Sequence, residues 1–163
     1  MADRMAAIIT IGGRISSGDL PRLLSAIADA RVARDWGEAV WHPETAQELL
    51  DGLQNGRLTL CDDEASYGEF SDLESECQTL GLSFRRHSDG KYEYDAEVVD
   101  WRPGMHEPLV NHSSNGNENA VYVDADAVKK ALGHLDDGHV REAIEILREL
   151  CPNMPEIPPL QIV

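Results

Sequence analysis

Positive charge is what this chain has least of. Fourteen lysines and arginines stand against thirty aspartates and glutamates, a net charge of −16 in 163 residues. A field of that sign repels phosphate backbones and anionic membranes and attracts basic partners, so direct binding to DNA or RNA is disfavoured. Cysteine is scarce as well. Cys61, Cys77 and Cys151 are widely spaced and odd in number, which excludes a full disulfide framework and a CxxC pair for zinc. They read as reduced thiols of a cytoplasmic protein. No apolar run approaches the ~18 residues that a membrane span requires, and residues 1–11 lack the h-region and cleavage site of a secretory leader. Catalytic signatures are missing too. There is no GxSxG elbow, no HExxH pair and no GxxxxGK or GxGxxG phosphate loop, so the reading leans away from an enzyme and implies no cofactor and no metal site.

What is present is unevenly spread. Residues 1–37 hold four acids and five bases, residues 38–100 sixteen acids and four bases, residues 101–163 ten acids and five bases, giving +1, −12 and −5. The length suits one domain, assigned to residues 1–151, followed by a Pro-rich extended tail over 152–163.

Periodicity divides the domain into elements. Ala6–Ile15 reads as a strand with a kink or bulge at Gly12-Gly13. Leu20, Leu23, Leu24, Ile27 and Ala28 form the stripe of a core-facing helix running to about Asp35. A second helix is expected from Pro43, with Ala46, Leu49, Leu50 and Leu53 as its stripe, stopped by Asn55-Gly56. Arg57–Cys61 reads as a strand. Ser66 and Glu69 have capping-box spacing before a third helix carrying Phe70, Leu73, Cys77 and Leu80, with Gly81 as a left-handed cap.

Leu82–His87 and Lys91–Trp101 read as a hairpin. A three-residue loop with Gly90 left-handed opposes Phe84 to Tyr94, Arg86 to Tyr92 and Arg85 to Glu93, which keeps both faces chemically consistent. Residues 103–119 read as loop and Asn119–Val123 as a last strand. A helix capped by Asp124 and closed by Gly133 follows, then another bearing Val140, Ala143, Ile144, Leu147 and Cys151. The expected fold is α+β: a mixed or antiparallel sheet of about five short strands, helices mainly on one face, in the order β-α-α-β-α-β-β-loop-β-α-α.

Two constellations carry possible function. From Asp62 to Glu76 there are seven acids and no base. Of these, Asp62, Asp63, Glu64, Glu69, Asp72 and Glu76 form a candidate partner-binding belt, with Glu69, Asp72 and Glu76 expected in a row beside the third helix's apolar face. Like charges along one helix edge cost a few tenths of a kcal/mol per pair, and no local base relieves them. The second set is the hairpin cluster Arg85, Arg86, His87, Tyr92 and Tyr94 with the loop His106–His112. There an arginine would hold an anion and His87 would move protons, as in a small enzyme or ligand-binding domain. The competing readings are a merely solvated acidic face and bases paired across the strands. The leading expectation is a non-enzymatic interaction protein whose acidic belt occludes a basic, nucleic-acid-binding protein. Nucleic-acid-mimicking inhibitors of restriction or CRISPR defence would fit. The hairpin ligand site is the alternative.

Overall fold

A computed structural model describes residues 3–163, apart from the side chains of residues 118 and 119. Met1 and Ala2, assigned to the domain from the sequence, lie outside it. The elements are β1 (Arg4–Ile15), α1 (Leu20–Ala30), α2 (Ala46–Asp51), β2 (Leu58–Ser66), α3 (Ser71–Thr79), β3 (Ser83–Ser88), β4 (Glu97–Trp101), β5 (Leu109–Ser114), β6 (Asn117–Val121), α4 (Ala125–Asp136), α5 (Val140–Leu150) and β7 (Leu160–Ile162). The class is α+β, with seven strands in the order β2-β1-β3-β4-β5-β6 and β7 beside β1. All pairings are antiparallel except β1–β7.

The strand β1 is the spine. Its period-2 alternation sends Ala7, Ile9 and Ile11 to one face, where they join Leu58 and Leu60 of β2, Phe84 of β3, and Val99 and Trp101 of β4. Leu23 and Ile27 of α1, Leu49 of α2, and Leu73 and Cys77 of α3 close this layer. Each fully buried Leu or Ile contributes about 1.5–3 kcal/mol. At Gly12-Gly13 the strand changes neighbours, leaving β2 and β3 for β7. A side chain at Gly12 would run into the Pro158 carbonyl, so the missing Cβ is what admits the tail.

Several boundaries differ from the sequence reading. The run 103–119 contains β5 and the start of β6, because Ser113 satisfies its hydroxyl on the carbonyls of Asn117 and Ala120 and lets the Asn/Ser-rich stretch pair. α1 stops at Ala30, with Arg31 left-handed at φ 55°. α2 ends at Asp51, and Asn55-Gly56 form a separate two-residue turn between Gln54 and Arg57, which exchange backbone hydrogen bonds. α3 starts at Ser71, where Glu74 accepts from the Phe70 amide, so Ser66 does not cap it. Gly81 is left-handed as expected, and the Leu82 amide returns to the Cys77 carbonyl. α4 runs through Gly133 and closes at Gly138, since the His139 amide reaches the His134 carbonyl.

The β3–β4 register is also different. Phe84 faces Trp101, Arg85 faces Asp100 and Arg86 faces Val99, leaving 89–96 as a long loop. Stacking Phe84 on Trp101 (centroids 6.3 Å apart) buries far more apolar surface than Phe84 on Tyr94 could. The loop is pinned by Asn115, whose side chain accepts from the Gly90 amide, and by Asp89, which accepts from the Gly116 amide. Tyr92, not Gly90, takes positive φ.

The helices α1, α2 and α3 close one face of the sheet. α4 and α5 pack chiefly on each other, and none of their residues belongs to the core cluster. No helix among the described residues is long and apolar enough to cross a membrane.

Candidate functional site

The acid-rich segment falls at the outer edge of the sheet. β2 is an edge strand, and among the described residues Ala33 alone makes backbone bonds to its free side, at Cys61. Charge on such an edge also discourages pairing with another chain. A bulge between β1 and β2 follows: Asp62 still pairs with Ala7, but the next register position joins Met5 to Ala65. The bulge divides the acids. Asp62 lies on the helix-covered face and accepts from the Glu64 amide at 2.9 Å, while the Asp63 carboxylate accepts from the Gly37 amide at 3.3 Å.

Tyr67 and Gly68, both at positive φ, then reverse the chain into α3. Gly68 also packs where a Cβ would come within 2.6 Å of the Ser88 Cβ. Its carbonyl accepts from Arg86 at 2.8 Å. Glu74 in the first turn of α3 ion-pairs with Arg86 Nε at 2.7 Å, which locks the start of the helix onto the sheet.

These constraints set α3 beside the end of β2 and against α1. Between them runs an open groove of about 310 Å³. Asp62, Glu69, Asp72 and Asp29 line it, with Tyr67 and Arg4 alongside. Glu69 accepts from the Ser71 hydroxyl at 2.9 Å. Asp29 and Asp72 are exposed, and their carboxylates have no hydrogen bond or ion pair among the described residues. Arg4 is turned to the Glu64 carbonyl, at 3.0 Å. A second hollow, edged by Asp29, Asp72, Glu76 and Arg22, continues along α1 and α3.

The structure therefore brings Asp62, Glu69 and Asp72 together and puts Glu76 at the adjoining hollow. Glu64 does not line the groove, and Asp63 serves the 35–37 loop. Glu69 precedes α3, so the expected row along one helix edge is broken. Glu76 is relieved from another element, by Arg22 Nε at 2.7 Å. The acidic field reaches the interior: the Cys61 thiol is pushed up to about 11 by burial first, then by Asp35, Asp63, Asp62 and Glu38.

The hairpin cluster is not brought to one place. Adjacent strand residues alternate faces, so Arg85 and Arg86 point to opposite sides of the sheet. Arg86 is buried under α3 between Glu74 and Glu97, with the Ser88 hydroxyl at 3.0 Å. Arg85 lies on the other face, 3.8 Å from Asp100. His87 is buried with Nε2 3.1 Å from the Ser114 carbonyl. Tyr92 is exposed beside Lys91, and Tyr94 packs edge-on against Tyr67 at 6.0 Å. His106 is in the loop before β5, and His112 sits on β5, 3.8 Å from Asp95. Among the described residues no group of three or more His, Cys, Asp or Glu is arranged to hold a metal ion.

Sequence reasoning missed Asp29, Tyr67 and Arg4. Asp29 lies two residues beyond Ile27, outside the α1 stripe, and only the packing of α1 on α3 gives it a place. No family model, no curated protein and no solved structure matches the chain.

Proposed function

We propose that this groove docks a basic segment of a partner protein, and that the chain acts as a non-enzymatic acidic binder covering its partner's basic surface. One observation carries the reading: four carboxylates from β2, α3, the turn before it and α1 converge on one open groove. A half-exposed tyrosine stands at its side, a face on which an arginine or lysine stem can lie. Such a groove raises the association rate of a basic partner and makes affinity fall with added salt. A partner that uses the same basic surface to hold nucleic acid would be occluded, since the acids occupy the place of phosphates.

The test uses a short, fluorescent arginine-rich peptide in anisotropy titrations at low and moderate salt. The groove variant D29K/E69K/D72K is expected to weaken binding at least tenfold. The variant E44K/E107K/E149K makes the same change in net charge at exposed sites away from the groove, and should weaken it far less. Equal losses from the two variants would reduce the effect to net charge and remove the groove from the interface. Duplex DNA should not bind the parent chain at physiological salt.

A further inference from the structure

The C-terminal helical hairpin leaves its apolar stripe uncovered. Only Ala131 of α4 and Ala143 of α5 are buried, so the two helices meet through small residues. Leu132 and Leu135 of α4 and Val140, Ile144 and Leu147 of α5 remain 40–54% exposed. At 100° per residue these five side chains lie to one side of the Ala131 and Ala143 positions. In an antiparallel pair the two sides coincide, which makes one continuous apolar face. Helices of 12 and 11 residues with so little buried between them are marginal in water on their own.

We propose that this face is the dimer interface of the protein, closed by a second copy into a four-helix bundle. The area fits. Five half-exposed aliphatic side chains present on the order of 400 Å² per copy, and with their flanking polar atoms two copies would remove roughly 1,200 Å², the lower bound of specific interfaces. The rim charges fit as well. Arg141 and Arg148 flank the stripe on α5 without an ion pair among the described residues, and Asp136 flanks it on α4, also unpaired. Lys129, the base on that edge of α4, is already held by Asp126 at 3.1 Å. A two-fold axis parallel to the helices lays α4 of one protomer over α5 of the other. Neighbouring helices then all run antiparallel, and Asp136 comes beside Arg141 of the partner subunit. The same face on both subunits makes the contact closed, not fibrous.

Light scattering during size exclusion tests this on the full chain. The expected mass is twice the 18.0 kDa of the chain, and the variant L132E/I144E should elute as the monomer with its circular dichroism intact, because both side chains are already exposed. D136R should weaken self-association at least tenfold, and D136R/R141D should restore it. A monomeric parent chain at high concentration would overturn the proposal, and so would a dimer indifferent to L132E/I144E. Failure of the charge exchange to restore association would overturn the two-fold arrangement.

Discussion

Two pairs of helices in this chain carry apolar stripes of the same spacing, and only one pair has a sheet to cover. On α1 and α3 the stripe residues Leu23, Ile27, Leu73 and Cys77 are fully enclosed. On α4 and α5 the corresponding Leu132, Leu135, Ile144 and Leu147 are not. Both pairs carry a stripe, so periodicity marks the apolar face without identifying what it meets. The difference lies in anchorage. α3 is tied down by Glu74 on Arg86, and α1 is tied to α3 by Arg22 on Glu76. The outer pair reaches the sheet chiefly through the segments before and after it.

The largest way to break the contrast is at the α3 anchor. Arg86→Ala strands Glu74 and the half-exposed Glu97 on the covered face without their cation, and should cost about 3–5 kcal/mol in urea unfolding. A loss under about 1 kcal/mol would show that α3 is held by packing alone. Next come paired truncations. Leu23→Ala should cost about 2–5 kcal/mol, the range for an enclosed leucine that leaves a cavity. Leu132→Ala should cost well under ~1 kcal/mol at dilute concentration, as a change at an exposed site does. Its loss should grow with protein concentration if the hairpin is an interface.

The smallest effect is read on the thiols that end two of these stripes. Cys77 is buried in α3, and Cys151, just past α5, is exposed. A thiol reagent should modify one cysteine quickly in the folded protein and all three after unfolding. Burial first, and then Glu74 and Glu76, push the Cys77 thiol far above its ordinary value, while Cys61 is raised to about 11. The folded chain thus holds protons that the unfolded chain releases near 9.0. Stability is full below that pH and falls as pH rises toward about 11. Melting points flat from pH 8 to 11 would contradict the burial of both thiols.

The α+β class and most elements were legible from periodicity, because each stripe or alternation is a local property. Gly81 and Asp124 could be placed as caps for the same reason: their bonds reach only three to five residues. The β3–β4 register could not. The local argument weighed a tight turn at Ser88-Asp89-Gly90, whereas the register is set by Trp101 reaching Phe84, seventeen residues back along the chain. The acid belt was visible as composition, but its division was not. The bulge that separates Asp62 from Asp63, and the arrival of Asp29 and Arg22 from α1, depend on tertiary packing that a linear charge count does not contain. Arg86 was set opposite Tyr92 within the hairpin because its true partner, Glu74, lies on another element.

The parallel pairing of β7 with β1 has a mechanical consequence. Gly13, Ser17 and Val163 donate to Pro159, Val163 and Ile15 carbonyls at 2.8–3.3 Å, across two strands that run the same way. Tension applied at the start of β1 and the end of β7 slides one strand along the other, so these bonds share the load instead of opening one by one. Everything between Ser17 and Pro159, the groove and the helical hairpin included, lies outside the loaded path until that short clasp slips. Resistance to pulling is then set by how fast the clasp opens, a rate, and not by the stability of the core behind it.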